Sequence, residues 1–183
     1  MNEKDHGLTL LRLARAAIAR EFGFDSHDLP PSDWLAQEGA TFVTLNLHDR
    51  LRGCIGSLEA HRPLIDDVRL NAVAAAFRDP RFPPLTKEEF AAVQIEVSLL
   101  SPPEAISFKN EADALAQLHP GQDGVILEYG RSRATYLPQV WGQLPEPADF
   151  IAHLKEKAGL PADFWSDDIR LSRYCVRKYS EGA

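Results

Sequence analysis

Apolar and polar positions along this chain switch between two periods, and the switches mark its elements. Leu10, Leu11, Ala14, Ala17, Ile18 and Phe22 recur at helical spacing and predict an amphipathic first helix ending near Gly23. A proline-broken connector runs from Asp28 to Asp33. Thr41 to Leu47 then alternates with a period of two, Val43, Leu45 and Leu47 on one face and Phe42, Thr44 and Asn46 on the other, which predicts a half-buried strand. His48-Asp49-Arg50 reads as a short polar turn, and Leu51 to Leu58 as the returning arm of a hairpin.

Pro63 suits the first turn of a second helix, with Leu64, Ile65, Val68, Ala72, Ala75 and Ala76 as its apolar face; it must stop before Pro80. Thr86 and Glu89 have the spacing of a capping box, opening a short helix through Ala92. Val93, Ile95, Val97 and Leu99 alternate up to Pro102-Pro103. Asn110 can cap another short helix. Gly124 to Tyr129 and Arg133 to Leu137 form a second hairpin through Gly130-Arg131-Ser132. Pro147 opens a helix carrying Phe150, Ile151 and Leu154 inward, with Gly159 as its cap. Residues 169 to 179 predict a last strand whose alternation slips near Tyr174, as at a bulge. Helices and hairpins interleave without βαβ crossovers, so the fold class is α+β with mostly antiparallel sheets. Strands 41–47, 51–58 and 93–100 belong to one sheet, with helix 64–78 against a face. No repeat, low-complexity tract or Gly/Ser-rich linker divides the chain, and residues 1–183 read as one domain.

Composition narrows the function. The 183 residues carry a net charge of −7, which argues against a nucleic-acid binder needing a basic footprint. No apolar run approaches the ~18 residues of a membrane span. Two cysteines in a chain with 44% hydrophobic residues are expected as reduced thiols, so the expected location is the cytoplasm. The six histidines show neither HxH nor HxxxH spacing and there is no CxxC, so neither a metal site nor a cofactor is expected.

The candidate chemistry lies in Leu51-Arg52-Gly53-Cys54-Ile55-Gly56. On an extended arm Arg52, Cys54 and Gly56 share a face, with alternate residues roughly 6–7 Å apart. A guanidinium at that range favours the thiolate, and Gly53 and Gly56 let a ligand or another backbone approach the sulfur. The opposing view makes Cys54 a small core hydrophobe and the glycines packing contacts. His48 and His61 flank the hairpin as candidate bases, although surface positions suit them better. Glu96 sits on the polar face of its strand and could pair with Arg52 or act as a base. In Asp79-Pro80-Arg81-Phe82-Pro83-Pro84 the prolines fix the backbone, which reads first as a structural corner aiming the chain between helix and strand, and alternatively as a mount for Arg81 as a fixed cation for a carboxylate or phosphate.

These segments also carry a resemblance. LRGCIG, the stretch Phe77 to Leu85, Ile95 to Glu104, Gly121 to Leu127, Thr135 to Val140 and Lys157-Ala158-Gly159 together make the chain similar to the AMMECR1 family from about residue 8 onward. The resemblance implies two sub-lobes, with both chain ends in the larger. It also implies work alongside a Memo-like protein and a radical SAM enzyme. The expected function is an enzyme or enzyme accessory. Cys54 would be its nucleophile or attachment point, and Arg52, Gly53, Gly56 and Arg81 would bind a small anionic substrate. The alternative is a non-catalytic module for a peptide or protein, with a structural Cys54.

Overall fold

Two four-stranded antiparallel sheets carry the fold. The computed structural model describes residues 3–25 and 32–182. In chain order the helices are α1 (Glu3–Glu21), α2 (Asp33–Ala36), α3 (Leu64–Phe77), α4 (Lys87–Ala92), α5 (Glu111–Ala116) and α6 (Pro147–Lys157). The strands are β1 (Ala40–Leu47), β2 (Arg50–Gly56), β3 (Gln94–Leu100), β4 (Glu104–Ala105), β5 (Gly124–Tyr129), β6 (Ser132–Tyr136), β7 (Arg170–Tyr174) and β8 (Val176–Ser180). Contacts divide the chain into two units, Met1–Leu100 with Arg177–Ala183, and Ser101–Val176.

The first unit is built on the sheet ordered β2-β1-β3-β8. Its alternation is the expected one: Val43, Leu45, Ile95 and Val97 are buried and pack with Leu10, Leu13 and Ile18 of α1 and Val68 and Ala72 of α3. The turn between β1 and β2 is shorter than the sequence suggests. His48 and Asp49 alone make it, both in the left-handed region (φ 51° and 59°), as a two-residue type I′ hairpin requires. The capping box at the start of α4 forms as read, with Thr86 accepting from the Glu89 amide and Glu89 from the Thr86 amide. The connector expected at 28–33 lies, through residue 31, outside the described residues, and Asp33 already belongs to α2.

The second unit holds the sheet ordered β4-β7-β5-β6, with Phe150, Ile151 and Leu154 of α6 fully buried against Val125, Leu127 and Leu171. Trp141 stacks on Phe150 at 3.8 Å and donates its indole N–H to the Asp123 carbonyl. One expectation is corrected here. Residues 169 to 179 are not one bulged strand. The ladder breaks at Cys175, and the two halves, β7 and β8, pair in different sheets.

A buried polar cluster was also not foreseen. Asp66-Asp67 reads in sequence as acidic residues of a helix first turn, yet Asp67 is fully buried. Its carboxylate accepts from the Thr41 amide (2.8 Å), the Thr41 hydroxyl (2.7 Å), the Ser57 hydroxyl (2.6 Å), Arg62 Nε (2.9 Å) and Asn71 Nδ2 (3.0 Å). Asn71, one turn along α3, also donates to the Thr41 carbonyl. The cluster ties the start of β1, the exit of β2 and the first turns of α3 together. Removing one partner of a buried, hydrogen-bonded charge costs about 3–5 kcal/mol. Asp67→Ala is therefore expected to lose on the order of 3 kcal/mol or more in urea unfolding. A loss below about 1 kcal/mol, the scale of an ordinary surface change, would show that the cluster does not hold the sheet to α3.

Candidate functional site

The β1–β2 register places Cys54 opposite Thr44, and Thr44 opposite Glu96 of β3, so the three share one sheet face. Gly53 and Ile55 point to the other face, toward α3. The register slips between Leu45 and Asn46, where Leu51 and Gly53 take the paired positions and Arg52 is left as the extra residue of a bulge. Leu51 pairs with Asn46, two residues from Thr44, and so comes onto the Cys54 face. Arg52 is displaced from it.

With that displacement the expected pairing of Arg52 with the Cys54 thiol is not made. Arg52 is buried, and its guanidinium donates from Nε and Nη2 to the two carboxylate oxygens of Glu89, both at 2.9 Å, with a further contact from Nη2 to the Pro84 carbonyl. Arg52 and the capping-box amide hold the Glu89 carboxyl below its usual range. Arg52 thus anchors β2 to the N-terminus of α4 and is not the partner of the Cys54 sulfur.

The glycines are also used by the protein itself. A Cβ on Gly53 would meet the Ala75 carbonyl of α3 at 2.1 Å, and one on Gly56 would meet the Phe42 ring at 2.3 Å. Both are packing glycines, required for close helix–strand and strand–ring approach.

Arg81 does reach Cys54. β2 is an edge strand, and the Cys54 N–H and C=O point outward from it. Asp79 Oδ2 accepts from the Cys54 amide at 2.9 Å, and Arg81 Nη2 donates to the Cys54 carbonyl at 3.3 Å. The two side chains are themselves paired, Arg81 Nε to Asp79 Oδ1 at 3.0 Å and Nη2 to Oδ2 at 2.7 Å, and the Arg81 amide closes an Asx turn on Oδ1. An Asp–Arg pair therefore replaces the missing neighbour strand at this one residue. Asp79 is buried, and the Arg81 guanidinium holds its carboxyl far below the usual carboxylate range, with the Cys54 and Arg81 amides adding to the effect. Arg81 is held the more firmly protonated, first by Asp79 and also by the nearby Cys54. Phe82 lies between Arg81 and Arg52, with the guanidinium carbons 5.5 and 5.9 Å from its ring centre.

Cys54 is half-buried, and the Thr44 hydroxyl donates to its Sγ at 3.3 Å. Among the described residues no histidine or carboxylate bonds to it. His48, in the turn four residues beyond Thr44, lies about 13 Å along the strand. His61 faces the Glu59 carbonyl in an exposed turn. Glu96 pairs with Lys178 (3.4 Å) and Ser180 (3.1 Å) of β8, one strand beyond Thr44. Among the described residues no cluster of His, Cys, Asp and Glu could hold a metal ion, and no helix is long and apolar enough to cross a membrane. Sequence reasoning missed Asp79 and Thr44. The Asp-Pro-Arg spacing was a visible signal for the first, and the cross-strand register, unreadable without pairing, was needed for the second.

The AMMECR1 family's sequence profile matches residues 11–179. A protein of Methanothermobacter thermautotrophicus is 39% identical, covering 97% of this chain and 95% of its own length. A protein of Methanocaldococcus jannaschii is 40% identical over 97% of this chain and 90% of its own. The crystal structure of an uncharacterised protein from Pyrococcus horikoshii superposes with a TM-score of 0.74 at 34% identity, covering 96% of this chain and 91% of that one.

Two predictions come from this geometry. Gly53→Ala is expected to cost about 2 kcal/mol or more, because its methyl group enters backbone of α3 that cannot give way as a side chain would; a neutral change in urea unfolding would contradict the contact. For Asp79 the folded carboxyl titrates below the unfolded one, so its stabilisation is complete above the unfolded value near 3.8 and is lost as pH falls through the folded value. The stability gap between wild type and Asp79→Asn should be constant from neutral pH down to about 5 and narrow below about 4. A gap independent of pH down to acid unfolding would rule out the charged pair as its source.

Proposed function

The chain belongs to the AMMECR1 family, and on that footing we propose that it is an enzyme or enzyme accessory in which Cys54 is the nucleophile or covalent attachment point. One observation carries the reading: both backbone polar groups of Cys54 are held by the Asp79–Arg81 pair while the residue itself is only half-buried. A cysteine chosen only to fill a core needs no such arrangement. The Thr44 hydroxyl supplies a donor that stabilises a thiolate, and the charge of Arg81 lies on the same residue's carbonyl. Arg81 is half-exposed, and its Nη1 is left for the carboxylate or phosphate of a small substrate. In this proposal a Memo-like protein and a radical SAM enzyme are its working partners.

A second reading has specific support. Gly53 and Gly56 are filled by the protein's own atoms, and no base bonds to the thiol, which suits a binding module with a structural cysteine. The two readings part on reactivity. Cys54 is expected to react with iodoacetamide several-fold faster than the exposed Cys175 at neutral pH, and Thr44→Val to slow Cys54 alone. Cys54→Ala should cost only about 1 kcal/mol. A Cys54 that is alkylated no faster than Cys175, or a loss of several kcal/mol in Cys54→Ala, would favour the binding module.

A further inference from the structure

At the turn end of the β1–β2 hairpin lies an open depression of about 490 Å³, lined by Leu47, His48, Arg50, Leu51 and Arg52. Its walls combine two leucines with three nitrogen-rich side chains, in a protein whose net charge is −7. Leu51 is 43% exposed, a large apolar side chain left in water at the rim. The Arg50 side chain has no ion-pair or hydrogen-bond partner among the described residues.

Arg52 adds an observation of a different kind. Its Nε and Nη2 donate to Glu89 and Pro84, which occupies one edge of the planar guanidinium. Nη1, on the far side of the fork, is buried and has no partner. Buried polar groups are nearly always paired, so an unpartnered donor on a residue that lines the depression leaves this corner of the fold incompletely satisfied. The turn itself is held with two non-glycine residues, His48 and Asp49, in the left-handed region, which fixes the direction of both hairpin arms around the depression.

The geometry points to this depression as a binding site for a small organic oxyanion, a carboxylate or phosphate carried on an apolar group. The leucines cover the apolar part, and Arg50 and His48 at the rim meet the oxyanion. The volume falls within the range of small-ligand pockets. Arg50, unpaired among the described residues, gives an oxyanion a local attachment point on a protein of net charge −7. The site stands apart from the thiol chemistry proposed above, since neither Cys54 nor Arg81 lines it.

The test is a titration of the ¹⁵N-labelled full chain with phenyl phosphate, followed by amide shifts, beside inorganic phosphate and benzyl alcohol as half-ligands. Saturable shifts are expected at residues 47–52, with both half-ligands binding more weakly. Arg50→Ala, at an exposed position that leaves the fold intact, is expected to weaken phenyl phosphate about tenfold, the scale of one charge-assisted hydrogen bond. Cys54→Ala should bind as wild type does, so a failure of the thiol reading leaves this result unaffected. Any of three results would overturn the site: no saturable shifts at 47–52, equal affinity in Arg50→Ala, or benzyl alcohol binding as tightly as phenyl phosphate.

Discussion

The Asp79 carboxylate is the interaction on which the neighbourhood of Cys54 depends. An edge strand presents unpaired N–H and C=O groups, and these must find partners or remain open to another chain. At Cys54 the partners are an aspartate and the arginine it binds, one accepting the amide and the other donating to the carbonyl. A carboxylate and a guanidinium do here what a further strand does elsewhere, but only one residue wide. The restriction matters, because a full strand would have extended along β2, whereas the short clasp fixes the cysteine backbone alone. The prolines on either side of Arg81 keep the clasp in shape, and the Phe82 ring neighbours both guanidinium groups that pin β2, at Arg52 and at Cys54.

Most of the architecture was readable because it rests on periodicity and caps. The alternation of Val43 and Leu45 with Ile95 and Val97, the Thr86–Glu89 box and the Asn110 cap are local signals, and each produced the element expected. What could not be read depends on pairing. A bulge of one residue at Arg52 reverses the face on which every preceding side chain sits, so Arg52 and Cys54, two apart in sequence, part company in space. The break at Cys175 does leave a trace, the slip near Tyr174, but a bulge and a change of sheet disturb the alternation in the same way. Asp67 is illegible for another reason: a carboxylate at a helix start is so commonly solvated that nothing local distinguishes one held by five donors.

The glycines of LRGCIG show how a motif's constraint and its chemistry can come apart. Gly53 and Gly56 permit close approach, as their flanking of a thiol suggested, but the approaching groups are the α3 backbone and the Phe42 ring. Their requirement is therefore steric and would hold in a protein with no chemistry at this position. Asp79, Arg81 and Thr44 are the residues whose geometry refers to the cysteine itself, the first two to its backbone and the third to its sulfur.

The division of the last strand between two sheets has a consequence for how the chain is made. β8 adds to β3, which lies some seventy-six residues earlier, from Leu100 to Val176, with the whole second unit between them. During synthesis the second unit can close on its own contacts while the first still lacks a strand, and the open flank of β3 stays unpaired until residue 180 has emerged. Pairings of such sequence separation form slowly, and an unpaired edge is what aggregation templates on. The interval between completing the second unit and seating β8 is thus the point in the protein's biogenesis where it is most exposed to misassembly.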